Sequence, residues 1–269
     1  ALVLDITGQD VPETGLVFDE GDRDMLLWPV PGSLVRIPWM DEPTAQYLAY
    51  ICDLDGTPHF ADPRNALEAV VKRFQSELNM TPVGAVEVEF FLMDRASAIA
   101  GEPRAPKSLI NEHRPQHYQA YYLQDLDDFA PFFKDLYAYC EAQGLPAKTL
   151  ISEYAPGQME IVLRHRADVL KACDEGIMLK RLIKATAEKH GMAATFMAKP
   201  YAQWTGSGMH IHVSLGDEKG NNLFAADDPL QNELLLHSIG GLKAAMAESM
   251  LIFAPNANSY RRFRRNSYA

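Results

Sequence analysis

Four glutamates and two histidines in this chain stand at spacings that could hold a divalent cation beside a charged substrate. Glu87 and Glu89 lie one residue apart within Val86–Phe91. Glu153 and Glu160 flank the turn Pro156–Gly157, and His210 and His212 alternate along Met209–Leu215, just after the glycine-rich turn Thr205–Gly208. In a strand, residues i and i+2 point to the same side. Glu87 shares a face with Glu89, and His210 and His212 share one with Ser214. Val86, Val88, Phe90 and Met209, Ile211, Val213, Leu215 make the opposite, apolar faces. That alternation suits a sheet with one face on the core and the other on a cavity or solvent. Two carboxylates side by side on a strand repel unless a cation sits between them. Taken singly, each segment also reads as a half-buried strand or hairpin with a solvated acidic face. Taken together, carboxylate oxygens with an imidazole suit hard divalent ions such as Mg2+ or Mn2+. No thiolate takes part, and His-x-His is not the His-x-x-x-His of helical zinc proteins. A metal-dependent hydrolase built on the same cluster stays open at this point.

The elements that must position these groups can be read from periodicity and turn chemistry. Residues 1 to about 58 are strand-like and turn-rich, with Gly8, Pro12, Gly15, Gly21, Pro29, Pro31 and Gly32 punctuating short apolar runs. A helix is expected over 62–78, with Asp62 as N-cap, Pro63 at its first position and Ala66, Leu67, Val70, Val71, Phe74 and Leu78 at helical spacing. The domain boundary is expected near residue 60, giving 1–60 and 61–269. Beyond it, strands are expected at 83–94, 148–155, 157–165, 193–199 and 208–215. Helices are expected at 127–143, 167–190 and 229–251, with a long loop at 96–120. No internal repeat or low-complexity tract is visible. Trp28, Trp39 and Trp204 read as core or pocket wall.

Composition bounds the class. The chain has 269 residues, 47% hydrophobic and 23% charged, with a formal net charge of −11. The last nine residues hold four arginines and no acid, which leaves 21 basic against 36 acidic side chains and −15 for the rest. An acidic body argues against general nucleic-acid binding and suits cationic or metal ligands. Cys52, Cys140 and Cys173 make no metal spacing and read as reduced thiols of an intracellular, cytoplasmic protein. No apolar run of about 18 residues is present, so no membrane partner is expected. The chain lacks an initiator methionine and stops abruptly at Ala269, so both ends are expected to be incomplete.

Four segments then carry a resemblance. Glu87–Phe91, Gly157–Ile161, Gly206–Leu215 and Pro255–Arg262 occur in the order and at the spacing of the glutamine synthetase family. The order of four motifs is more specific than any one alone. The form Glu153–Glu160 resembles the branch that joins glutamate to organic amines, the gamma-glutamylputrescine synthetase-like enzymes. The resemblance implies an α+β fold: a small N-terminal β-grasp-like domain, then a catalytic domain whose antiparallel sheet bends into a partial barrel flanked by helices. It implies that Glu89, Glu153 and Glu160 ligate one divalent ion and that Glu87 and His210 ligate a second, within a site holding two or three ions of Mg2+ or Mn2+. His212, Val213 and Ser214 would line the ATP site. Thr205, Gly206 and Arg262 would bind glutamate, with Thr205 where the family more often has Asn. Asp5 would help bind the amine. Glutamate and an amine are the implied substrates. A ring-shaped homo-oligomer, a dodecamer of two hexamers with sites shared between subunits, is the implied assembly.

The resemblance has departures. Ammonia-using members carry a flap glutamate after the arginine segment, and Tyr268 stands where that glutamate would be. An aromatic ring there favours a larger amine through cation–π attraction. The family also continues past this point with further arginines and another glutamate ligand, so the truncated chain is expected to be inactive by itself. The arginines at 261–265 read as a carboxylate and phosphate clamp or as a basic surface patch. The alternatives are glutamine synthetase proper, using ammonia, and a non-enzymatic relative.

Overall fold

The computed structural model describes residues 4–5, 7–16 and 24–264. Packing divides the chain into Ala1–Arg36 with Ala45–Leu78, and Ile37–Thr44 with Asn79–Ala269. The helix that follows residue 60 groups with the first unit.

In the first unit, β1 (Leu26–Pro29) pairs with β4 (Ala49–Cys52), and β2 (Val35–Arg36) with β3 (Ala45–Gln46), both antiparallel. Prolines and glycines keep these ladders short. The helix α1 (Pro63–Leu78) begins where the sequence predicts. The Asp62 carboxylate accepts from the amides of Arg64 at 2.7 Å and Asn65 at 3.1 Å. Its second oxygen accepts from the Ile51 amide at 2.8 Å, which ties the helix start to β4.

The second unit is built on β5 (Thr81–Asp94), a 14-residue strand. It is followed by the short α2 (Arg95–Ile99), α3 (Leu123–Asp128), α4 (Ala130–Ala142), β6 (Ala147–Ser152) and β7 (Gln158–Leu163). Then come α5 (Val169–Lys189), β8 (Met192–Thr195), β9 (Met209–Gly216), α6 (Glu233–Phe253) and α7 (Ala257–Tyr260). The sheet is antiparallel throughout, in the order β6-β7-β5-β8 with β9 also on β5. One edge of β5 carries β7. The other is shared by β9 along Thr81–Val88 and β8 along Phe91–Asp94.

The expected partial barrel is not formed among the described residues: the sheet is open, and β6 and β9 do not meet. Leu215 is buried as expected, but Met209, Ile211 and Val213 are exposed, because α5 covers β5 and β8 and no described helix covers β9. The helix expected at 127–143 is two helices, parted at buried Phe129, with Pro131 in the first turn of α4. Proline lacks the amide that a continuous helix would need there. The helix expected from 229 begins at Glu233, after a 3-10 turn, where Asn232 caps the Leu235 amide at 2.9 Å.

The core lies between the sheet and α4–α5. Phe90, Leu92, Phe132, Leu136, Ile161, Leu179, Leu182 and Ile183 are fully buried. Val86 packs against Gly176 of α5. The even-numbered side of β5 thus faces the helices; on the odd-numbered side Phe91 and Met93 pack in a second apolar cluster with Ala155 and Tyr201, and Glu87 and Glu89 are left for the site.

Candidate active site

Strand register places the acids and imidazoles together. Glu89 of β5 is directly opposite Glu160 of β7, and Glu87 is directly opposite His210 of β9. Both histidines turn to Glu87: His210 Nδ1 lies 3.2 Å from its Oε2 and His212 Nε2 lies 2.9 Å from its Oε1. His210 Nδ1 is also 3.8 Å from Glu160 Oε2. Glu153 follows β6, and its amide donates to the Gln158 carbonyl at 2.8 Å, which closes the hairpin that returns Glu160 to the same side.

Electrostatics mark this cluster. Burial pushes the Glu160 carboxyl up to about 7, helped by Glu87, Glu153 and Glu89 and opposed by His210. Burial and then Glu89 raise Glu153. One ligand atom each from Glu87, Glu160 and His210 lies within 4.8 Å of the others. Hard oxygen donors, an imidazole and crowded negative charge fit a divalent cation. The tightest group crosses the division into two ligand sets that the resemblance implied, since Glu160 stands with Glu87 and His210.

Beside the acids is a cavity of about 310 Å³, lined by Glu89, Ala120, Tyr121, Glu153, Tyr154, Gln158, Thr205, Gly206 and Arg262. Two close approaches explain the glycines of the turn after Thr205. A Cβ on Gly206 would meet the Ala198 carbonyl at 2.7 Å and Arg262 Cγ at 2.8 Å. A Cβ on Gly208 would come within 3.1 Å of Glu89 Oε1 and 3.4 Å of Arg262 Nη2. The guanidinium thus packs against the turn and reaches towards Glu89.

The segment that delivers Arg262 is pinned locally. Asn256 caps α7, accepting from the Ser259 amide at 3.1 Å. Asn258 clamps the backbone of Lys199: its Oδ1 accepts from that residue's amide at 2.7 Å and its Nδ2 donates to the carbonyl at 2.9 Å.

The structure shows where each expected site residue lies. Glu87, Glu89, Glu153, Glu160, His210, His212, Thr205, Gly206 and Arg262 come together around the cluster and cavity. Ser214 shares the face of His212, while Val213 alternates to the opposite face of β9 and is exposed. Asp5 lies in the first unit, and its carboxylate closes its own turn, accepting from the Thr7 amide at 2.7 Å and the Gln9 amide at 3.0 Å. Tyr268 falls outside the described residues. Sequence reasoning missed Tyr121, Tyr154, Gln158 and Asn258. Gln158 carried a usable signal, since it stands two residues before Glu160 and so shares its face. Tyr121 carried none, because its position depends on a left-handed backbone, with φ 61°.

Residues 60–269 match the model of the glutamine synthetase catalytic domain. The chain belongs to the glutamine synthetase family. It is 39% identical over 265 residues to gamma-glutamylputrescine synthetase PuuA of Escherichia coli (strain K12), covering 98% of this chain and 56% of that protein. It is 34% identical over 255 residues to glutamate–isopropylamine ligase of a Pseudomonas species, covering 94% of this chain and 54% of that one. The chain therefore spans about half the length of these relatives. Among solved structures, a GmaS/ADP complex matches with a TM-score of 0.79 at 29% identity, covering 94% of this chain and 55% of that chain. The α+β fold expected from the resemblance is the one these relatives share. No helix among the described residues is long and apolar enough to cross a membrane.

Proposed function

We propose that the protein is an ATP-dependent ligase that joins the γ-carboxylate of glutamate to an organic amine through a γ-glutamyl phosphate. The observation that carries this reading is the cavity, in which Arg262 and the Thr205–Gly206 turn adjoin Glu89, Glu153 and two tyrosines. Arg262 would hold the glutamate carboxylate as a charge-assisted fork. A carboxylate is a poor electrophile, so a γ-carboxylate oxygen first takes the terminal phosphoryl group of ATP and ADP leaves. The amine nitrogen, once its ammonium form has given up a proton, then attacks the acyl carbon, the bond from that carbon to the phosphate oxygen breaks, and phosphate departs, taking the proton that the new amide nitrogen releases. Glu87, Glu89, Glu153, Glu160 and His210 would hold divalent ions, Mg2+ or Mn2+, which when bound neutralise charge on phosphoryl oxygens. His212, Val213 and Ser214 would adjoin the nucleotide, Val213 through its backbone. Glu153 and its acidic surroundings would attract the incoming alkylammonium, and Tyr121 and Tyr154 give its carbon chain an aromatic wall.

Putrescine and isopropylamine in the names of two relatives support an organic amine. Tyr268 would add to that preference from the flap, and Asp5 would help bind the amine. That assembly, a homo-oligomeric ring with sites shared between subunits, belongs to the same reading, as do the domain boundary at 60 and a cytoplasmic setting. The unpaired cysteines suit such a setting.

The test is phosphate release by the protein at its full natural length, with ATP, Mg2+ and glutamate, comparing ammonia with putrescine and several monoamines. Stimulation by an organic amine is expected. A preference for ammonia would make the protein a glutamine synthetase proper, and no release with any amine would overturn the ligase reading.

A further inference from the structure

The Gln158 side chain is held by hydrogen bonds on both its nitrogen and its oxygen. The residue is 2% exposed and opens β7. Its Nε2 donates to Glu89 Oε2 at 3.2 Å and to the Gly206 carbonyl at 2.9 Å. Its Oε1 accepts from the Ala155 amide at 3.3 Å and from the Thr205 hydroxyl. A carboxamide has two donor hydrogens and two acceptor lone pairs, and all four are engaged. They reach a carboxylate of the acidic cluster, the hairpin turn between Glu153 and Glu160, and both residues of the turn beside Arg262. Glu89 Oε2 also accepts from the Gly208 amide at 3.0 Å, so the carboxylate is bound to the same turn from two sides.

We infer that Gln158 is a positioning residue that couples cation binding at the acidic cluster to glutamate binding at the Thr205–Gly206 turn. The inference rests on the ligase reading for the identity of the second ligand. The rotamer of Glu89 and the carbonyl direction of Gly206 are fixed by the two hydrogens of one NH2 group, so neither can shift without straining the other. A cation that draws Glu89 into place also sets the turn. By linkage, glutamate at the turn strengthens cation binding by the same factor. No other residue type supplies this pattern at this length: glutamate keeps both acceptors and loses both donors, and methionine keeps the volume and loses all four.

The experiment is a pair of calorimetric titrations on the full-length protein: glutamate with and without saturating Mn2+, and Mn2+ with and without glutamate. In the unaltered protein each ligand is expected to tighten the other by about 5-fold or more. In Gln158→Glu the two factors are expected to fall towards one. Glutamate KM should rise while ATP KM stays within about 2-fold, a split that a general loss of packing would not give. Gln158→Met is read the same way and covers a failure of Gln158→Glu to fold. Undiminished coupling in a folded variant overturns the inference, as does absence of coupling in the unaltered protein. Loss of folding in both variants also overturns it, making Gln158 a purely structural residue. If the unaltered protein binds no glutamate with or without Mn2+, the ligase reading itself fails.

Discussion

Glu89 and Glu160 face each other directly across the β5–β7 ladder. Like charges at directly opposed positions cost stability, and burial of Glu160 adds to that cost. His210 Nδ1 lies 3.8 Å from Glu160, and the divalent ion proposed for this cluster would offset the repulsion between the two carboxylates.

A divalent cation should therefore stabilise the fold measurably. Saturating Mn2+ or Mg2+ at 100 times its dissociation constant is expected to add about 2.7 kcal/mol to the unaltered protein. Glu160→Gln should be at least as stable as the parent in chelator, because one buried carboxylate is removed, and should gain much less from the cation. Thermal unfolding in chelator and in Mn2+ measures both quantities. An equal gain in the two proteins would exclude Glu160 as a ligand.

How much of this was legible beforehand follows from what each feature depends on. The pairing of Glu87 with Glu89, and of His210 with His212, is a property of strand periodicity, so composition and spacing were enough. The start of α1 was legible because Asp62 and Pro63 act locally. The open sheet was not, since closure depends on which strands meet at the edges, and periodicity carries no edge information. The exposure of Met209, Ile211 and Val213 was hidden for the same reason: an apolar face says what it prefers, not what covers it. The clamp of Asn258 on Lys199 joins residues far apart in the chain, and no spacing rule reaches it. The four segments resembling the glutamine synthetase family supplied the roles that geometry alone left open.

Gly206→Ala tests the close approach of Arg262. The added methyl carbon would stand 2.8 Å from Arg262 Cγ and 2.9 Å from its Nε, and the Ala198 carbonyl on its other side cannot yield easily. Arg262 must move. Glutamate KM is expected to rise about 10-fold or more, with stability lowered by about 1–3 kcal/mol from overpacking. Gly240→Ala is the contrasting case. It lies inside α6 with nothing within 4 Å of the added carbon, and is expected to stabilise by about 0.5–1 kcal/mol with kinetics unchanged. An unchanged glutamate KM in Gly206→Ala would sink the role given to Arg262.

Asn258→Ala should act on the same arginine from a distance. It removes both hydrogen bonds to the Lys199 backbone, at a cost of about 1–3 kcal/mol. Because α7 then loses its tie to the loop after β8, glutamate KM should rise more than ATP KM. Initial-rate kinetics with each substrate varied in turn separate the two, and equal rises would point to general loosening.

Asp94 gives a pH-dependent prediction away from the acidic cluster. Its carboxylate accepts from the Ser97 amide at 2.9 Å, capping α2, and pairs with Arg114 at 3.1 Å. The Ser97 hydrogen bond, then that from Arg114, holds its pKa below the ordinary 3.8. An acid whose folded pKa is depressed contributes stability that is complete above the unfolded pKa and disappears as pH falls through the folded one. Asn is itself a good N-cap, so Asp94→Asn removes the charge and leaves the cap. Near neutral pH the variant should be less stable by about 0.5–1 kcal/mol. That difference should shrink as pH drops below 3.8 and vanish once Asp94 is protonated in the folded state. Urea unfolding of both proteins along a descending pH series reads it directly. A difference that stays constant through the acid range would mean that the charge of Asp94 contributes nothing and that only its shape matters.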